Sequence, residues 1–236
     1  MREVSISQLW GRAWYLFKVN WLLFVGLLVL FNVQFIIAGI WGLYISILMA
    51  VILAPPVLVR AGYLVARKGQ YSLRVDFGDL SPLLKVLIYQ VILGLIPVSF
   101  FVLGSMLADP RGDILVLMGY NFLFISYLFG WAGHYAILSG RAGIFSAIGQ
   151  SFSLTWWNFS EVFVALLSVI GLLILGLLPL GLGLLMEVPI LIVGGGYLYG
   201  LWLLVVVPMA SIFLPLLYFA LTDEEGVSHA KSLRLG

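Results

Sequence analysis

Apolar residues fill this chain in long runs broken by short polar punctuation, and the breaks predict its elements. Six stretches, 20–40, 43–66, 83–107, 114–138, 159–186 and 189–221, each supply the about 20 apolar residues that a bilayer crossing requires. Trp41-Gly42 makes a minimal turn between the first two. The segment Asp109-Pro110-Arg111-Gly112-Asp113 reads as a tight polar turn, and Glu187 sits in the last turn. Residues 5–18 and 144–157 follow a different rule. Ile6, Leu9, Trp10, Ala13, Trp14 and Phe17 recur at helical spacing opposite Gln8, Arg12 and Tyr15, which predicts a helix lying in the membrane interface rather than the first turns of a long span. Ile144, Phe145, Ile148, Phe152 and Trp156 repeat that pattern against Ser146, Gln150, Ser153 and Thr155. Asn158 with Glu161 three residues on resembles a capping box opening the fifth span. The expected fold is all-α: one polytopic membrane domain over 1–236, with six transmembrane helices, two interfacial helices and a polar tail at 223–236.

Prolines mark where those spans bend. Pro55-Pro56 falls inside the second, where a fixed kink or a hinge would follow from the lost hydrogen bonds. The sixth span is too long for one straight crossing, and Gly194 to Gly196, Pro208 and Pro215 are the places for it to tilt or break.

Composition closes off other classes. With 63% hydrophobic and 9% charged residues in 236, and a mean hydropathy of +1.16, the chain cannot cover itself with a solvated surface; soluble domains carry about 25% charged residues. The absence of cysteine excludes disulfides and thiolate chemistry. A net charge of +2 with scattered basic residues makes nucleic acid a poor partner. The run after Arg2 and Arg12 is far longer than the apolar core of a signal peptide, so the first span reads as an uncleaved anchor.

Charge also sets an orientation. If the N-terminus is cytoplasmic, six spans place Arg2, Arg12, Lys18, Arg60, Arg67, Lys68, Arg74, Lys85, Arg141, Lys231 and Arg234 inside, leaving only Arg111 of the 12 basic residues outside. Both termini are then cytoplasmic, in a plasma or inner membrane. A sparse internal repeat accompanies this arrangement: each of Ser5 to Lys18, Val75 to Lys85 and Gly143 to Trp157 precedes a helical hairpin, so a true repeat would be parallel about the membrane normal.

The stretch Gly143-Ile144-Phe145-Ser146-Ala147-Ile148, with Ser151, Leu154-Thr155-Trp156 and Asn158, resembles the six-helix bacterial and archaeal membrane-protein families related to the YciC-type proteins. Those are similar in turn to the membrane-anchor domain preceding some glycerophosphodiester phosphodiesterases. Gly181, Gly183, Pro189, Tyr197 and Tyr199 follow the same order, and Gly62, Arg67 and Gly69 fit the end of the second span. The resemblance implies the six-helix topology. It does not bring the phosphodiesterase chemistry, which belongs to a separate soluble domain.

Polar residues inside spans are the default functional candidates. Arg60 and His134 each lie seven residues before a basic helix end, Arg67 and Arg141, so each sits about 10 Å inside it. Together with Lys68 they are candidate contacts for a lipid headgroup phosphate, against the alternative that Arg60 snorkels and His134 bonds a neighbouring helix. Asn32, Gln34, Gln90 and Asn121 are candidate intramembrane polar contacts, as a relay or as interhelical hydrogen bonds. Gly196 and Gly200 form a small-residue packing motif. No residue set here forms a triad, phosphate loop or metal site, so no cofactor and no enzymatic activity are expected. The sequence points to an accessory or scaffold protein, or a subunit of a larger membrane assembly, with lipids and a partner membrane protein or second copy as its contacts. The competing reading is a small transporter or lipid-handling protein, which the proline breaks favour and the lack of a mid-membrane acid opposes.

Overall fold

In the computed structural model, residues 5–41, 43–69, 79–107 and 110–222 are described, with side chains described outside 28–54, 110 and 191. Seven helices and no strands occur among them: α1 (Ile6–Trp41), α2 (Leu43–Lys68), α3 (Ser81–Met106), α4 (Pro110–Leu138), α5 (Ile144–Trp157), α6 (Phe159–Leu185) and α7 (Pro189–Thr222). Four segments among the described residues are long and apolar enough to cross a membrane: Ser81–Met106, Arg111–Leu138, Phe159–Leu185 and Ile192–Thr222. The expected first two spans fall on α1 and α2, where the side chains of residues 28–54 lie outside the described set. Residues 1–4, Gly42, residues 70–78, residues 108–109 and the tail 223–236 also lie outside it.

Several boundaries differ from the sequence expectation for local reasons. The polar turn at 109–113 is shorter, because Pro110 to Asp113 form the first turn of α4, where proline's missing N–H costs nothing and an acidic side chain suits the helix dipole. The sixth span does not break: α7 is one helix of 34 residues through Pro208 and Pro215. The capping box is not formed. Asn158 instead closes α5, its Nδ2 donating to Leu154 O at 2.9 Å, while Glu161 accepts from Ser160 Oγ. With one residue between α5 and α6, the side chain serves the helix it has just left.

The chain divides into two compact units, Met1–Asp76 with Phe163–Gly236, and Phe77–Val162. In the first, α7 packs along α1 and α2, and α1 along α2. Half of the α7 span is buried, against 11–22% for the other three, which makes α7 the central helix of its unit. Asn20 leaves helical geometry (φ −113°, ψ 17°) and divides α1 into two helical parts, of which the first carries the amphipathic pattern of residues 6–17. Its Nδ2 donates to Leu16 O at 2.9 Å and to Gly69 O at 3.1 Å, binding the break in α1 to the end of α2. Trp10, on the amphipathic part, stacks on Phe213 of α7 (centroids 4.1 Å, 11°) and donates from Nε1 to Ser168 Oγ of α6 at 2.9 Å. On the same turns, Lys18 lies over the Trp14 ring, and burial lowers the pKa of Arg12.

Glycine sets the closest helix approaches in this unit. A Cβ at Gly62 of α2 would collide with the Ser211 carbonyl of α7. Trp202 of α7 fills the space over Gly176 of α6 and donates to Leu172 O at 2.7 Å. The α6–α7 turn closes with Glu187 at φ 53°, as Val188 N–H reaches back to Gly183 O.

The second unit is the α3–α4 hairpin with α5 laid on it. Gly104, Gly112 and Gly119 let α3 and α4 meet, Gly119 directly beneath the Phe101 ring, and Phe100 stacks on Phe122 at 4.9 Å. The loop from α4 to α5 turns on Gly140 (φ +76°), with Arg141 and Ala142 N–H both reaching Ala136 O.

Candidate functional site

The densest polar cluster surrounds residues 128–132 of α4, where α5 crosses it. Four consecutive carbonyls there accept a side-chain hydrogen bond. Thr155 Oγ1 donates to Leu128 O (3.3 Å), Ser151 Oγ to Phe129 O (2.6 Å) and Tyr89 OH to Gly130 O (2.8 Å), while His134 Nδ1 lies 3.1 Å from Trp131 O. Two donors are returned to α5: Ala132 N–H to Ser151 Oγ and Trp131 Nε1 to Thr155 Oγ1, both at 3.1 Å. A carbonyl has two lone pairs and a helix uses one, so such bonds add to the ladder rather than replace it. Three side chains, Ser151 and Thr155 from α5 and Tyr89 from α3, thereby fasten both neighbours to one turn of α4.

Sequence dictates why the helices come so close. Ala147, Ser151 and Thr155 recur every fourth residue and are buried at 0–1% exposure, so α5 turns its small stripe to the protein. Thr155, grouped by the periodicity with Ser146, Gln150 and Ser153, is thus turned to the protein rather than to the open side. The aromatic face is the open one, with Phe145, Phe152 and Trp156 exposed at 79, 51 and 62%. On α4, Gly133 leaves room for the Tyr89 hydroxyl and Gly130 for Leu93, positions a Cβ would occupy.

His134 is the chemically open member. Trp131 O can only accept, so Nδ1 carries the proton and Nε2 presents a lone pair. Nε2 is shielded, and among the described residues it meets no donor. Tyr89 covers the ring edge-to-face at 4.9 Å. An isolated imidazole of this kind can accept one hydrogen bond. Among the described residues no three His, Asp or Glu side chains gather to hold a metal ion.

The other sequence candidates separate. Arg60, at 8% exposure, and Arg67 and Lys68 at the end of α2 belong to the first unit; His134 and Arg141 belong to the second. Arg67 is held by Tyr63, which accepts its Nη1–H at 3.2 Å and lies under the guanidinium, and Tyr63 packs on Phe219. The side chains of Asn32 and Gln34 lie outside the described residues. Gln90 is half-buried on α3, and Asn121 is exposed on α4, its Nδ2 bonded to its own helix at Leu117 O. Gly196 and Gly200 are exposed and have nothing within 4 Å of an added Cβ. The tight α6–α7 approach falls instead at Gly195, against the Leu180 backbone.

What sequence reading missed is the pairing of Ser151 and Thr155 with α4, although their four-residue spacing through Ala147 was the available signal. It also missed a second recurrence. Ala61-Gly62 and Ala132-Gly133 each precede by seven residues a glycine of left-handed φ, Gly69 at +78° and Gly140 at +76°. Both helical glycines sit where another helix touches. Compared with protein-family models, curated proteins and solved structures, the chain matches none.

Proposed function

We propose that this chain is a six-span integral membrane protein with both termini cytoplasmic, acting as a non-enzymatic scaffold or as a subunit of a larger membrane assembly. One observation carries the reading: apart from His134 Nε2, the polar side chains gathered between the helices are spent on fastening them. Ser151, Thr155, Tyr89 and Trp131 tie α3, α4 and α5, while Asn20, Trp10 and Ser168 tie α1, α2, α6 and α7. The YciC-like resemblance supports the span count, and the eleven basic residues on one side support the orientation.

Helix geometry supports the interfacial position of α5. The α4 span has 28 residues, so it is about 42 Å long and overhangs a hydrocarbon layer of about 30 Å by roughly 6 Å at each end. The crossing at residue 130 is eight residues, or about 12 Å, from the end of α4 at Leu138. For a symmetric overhang α5 would lie about 6 Å below the hydrocarbon boundary, within the roughly 5–10 Å typical of interfacial helices, which supports the reading. Its exposed Phe145, Phe152 and Trp156 then face acyl chains.

Native mass spectrometry of the protein in lipid nanodiscs tests the function. A stoichiometric second protein, or a second copy, supports the assembly reading. A lone chain holding a small molecule supports the transporter reading. A lone chain retaining an anionic lipid supports lipid handling, which the burial of Arg60 favours. Single-cysteine labelling from each side tests the topology, since the chain has no native cysteine: Ser153→Cys is expected to label from the cytoplasm and Asp113→Cys from outside.

A further inference from the structure

The outer face of α4 carries a stripe in heptad-like spacing: Ile114, Leu117, Asn121, Phe124 and Ile125 are all exposed, the apolar four at 45–62%. Asn121 stands at its centre. Within the span Arg111–Leu138 it lies 3.5 residues, or about 5 Å, from the midpoint, hence about 10 Å inside the hydrocarbon layer. Its carboxamide makes one bond, Nδ2 to Leu117 O. The other N–H and both lone pairs of Oδ1 meet no partner among the described residues. Acyl chains offer neither donor nor acceptor, and a polar group left so at this depth is costly. A helix covering the stripe must therefore bring both a donor and an acceptor to this depth.

We propose that α4 is a dimerisation helix, and that Asn121 pairs with Asn121 of a second copy of this chain across a twofold axis. A carboxamide is self-complementary, so the N–H of each copy meets the Oδ1 of the other and one residue satisfies both sides. A single asparagine at the core position of an apolar seam fixes register and copy number in paired helices, and symmetric pairs are the commonest assemblies. The flanking Leu117 and Phe124 would close the seam above and below. This inference rests on the membrane reading above and deepens its assembly arm.

The test uses the full chain reconstituted in phosphatidylcholine–phosphatidylglycerol vesicles at decreasing protein-to-lipid ratio. Copy number is read by single-molecule photobleaching of a fluorescent fusion. Dimers are expected, with Asn121→Leu weakening association roughly tenfold, the worth of two interhelical amide bonds, and Asn121→Gln retaining it. Because the chain lacks cysteine, Leu117→Cys and Phe124→Cys are expected to form interchain disulfides under oxidant with Asn121 left in place. Leu95→Cys, on the exposed face of α3, is expected not to. A monomer at all ratios, an Asn121→Leu dimer as tight as the parent, or crosslinking through Leu95→Cys alone would overturn the proposal. Carbonate extraction of the same vesicles separates the two readings: a chain released by carbonate sinks the membrane reading, and an embedded monomer sinks only the dimer.

Discussion

Adding one methyl group at Gly133 is expected to loosen the α3–α4–α5 unit. The Cβ of Gly133→Ala would overlap the hydroxyl of Tyr89 and lie 2.9 Å from its Cε2. Tyr89 is fully buried, with its hydroxyl bonded to Gly130 O at 2.8 Å, so the ring cannot swing out to solvent or lipid. Displacing it loses that bond, worth about 1 kcal/mol, and forces overpacking at about 1–3 kcal/mol. Alanine's better helix propensity returns up to about 1 kcal/mol. The net expectation is a loss of about 1–3 kcal/mol, read as reversible unfolding in mixed detergent micelles. The decisive comparison is a double-mutant cycle. Tyr89→Ala removes the obstructing ring at its own cost of about 3–5 kcal/mol, typical of an aromatic truncated in a core. In that background Gly133→Ala is expected to cost nothing or to stabilise, which makes the coupling energy at least about 1 kcal/mol. An equal cost in both backgrounds would show that Gly133 is needed for its backbone and not for the space it leaves to Tyr89.

Other substitutions probe the remaining ties. Thr155→Val keeps the shape of the side chain but strands the buried Trp131 Nε1–H, with an expected loss of about 1–3 kcal/mol in the same unfolding assay; Ser153→Val on the exposed face is the neutral control. Trp10→Phe keeps the stacking on Phe213 and loses the bond to Ser168, so amide exchange over residues 6–19 is expected to speed up by about tenfold or less, the worth of one hydrogen bond; no change would mean that the bond does not hold the amphipathic part of α1. Gly69→Ala and Gly140→Ala place a side chain at left-handed φ, at an expected cost of roughly 1 kcal/mol each, and similar losses at both positions would support their equivalence as helix stops. Asn20→Ala releases the acceptors Leu16 O and Gly69 O together and is expected to cost about 1–2 kcal/mol, measured as a lowered thermal midpoint in detergent.

What could be read from the chain alone was set by solvent. A bilayer demands about 20 apolar residues per crossing, so the boundaries of α3, α6 and α7 agree with the run lengths to within two residues. The helix 144–157 was legible from its periodicity, which sets aromatic residues apart from small and polar ones. Asn20 was legible as a boundary between two segments, though not as the residue whose amide joins α1 to the end of α2. The packing was not legible, because in a membrane span nearly every face is apolar and periodicity no longer marks the buried side. Only the tertiary structure decided that Gly195, and not Gly196 or Gly200, meets α6, since rotation of one residue about a helix turns a side chain by about 100°. Ser151 and Thr155 needed it too: a hydroxyl reads as solvated until a carbonyl of α4 is seen 2.6–3.3 Å away. Composition and run length fixed what the protein dissolves in; contact between helices decided which polar groups hold it together and left Asn121 facing outward.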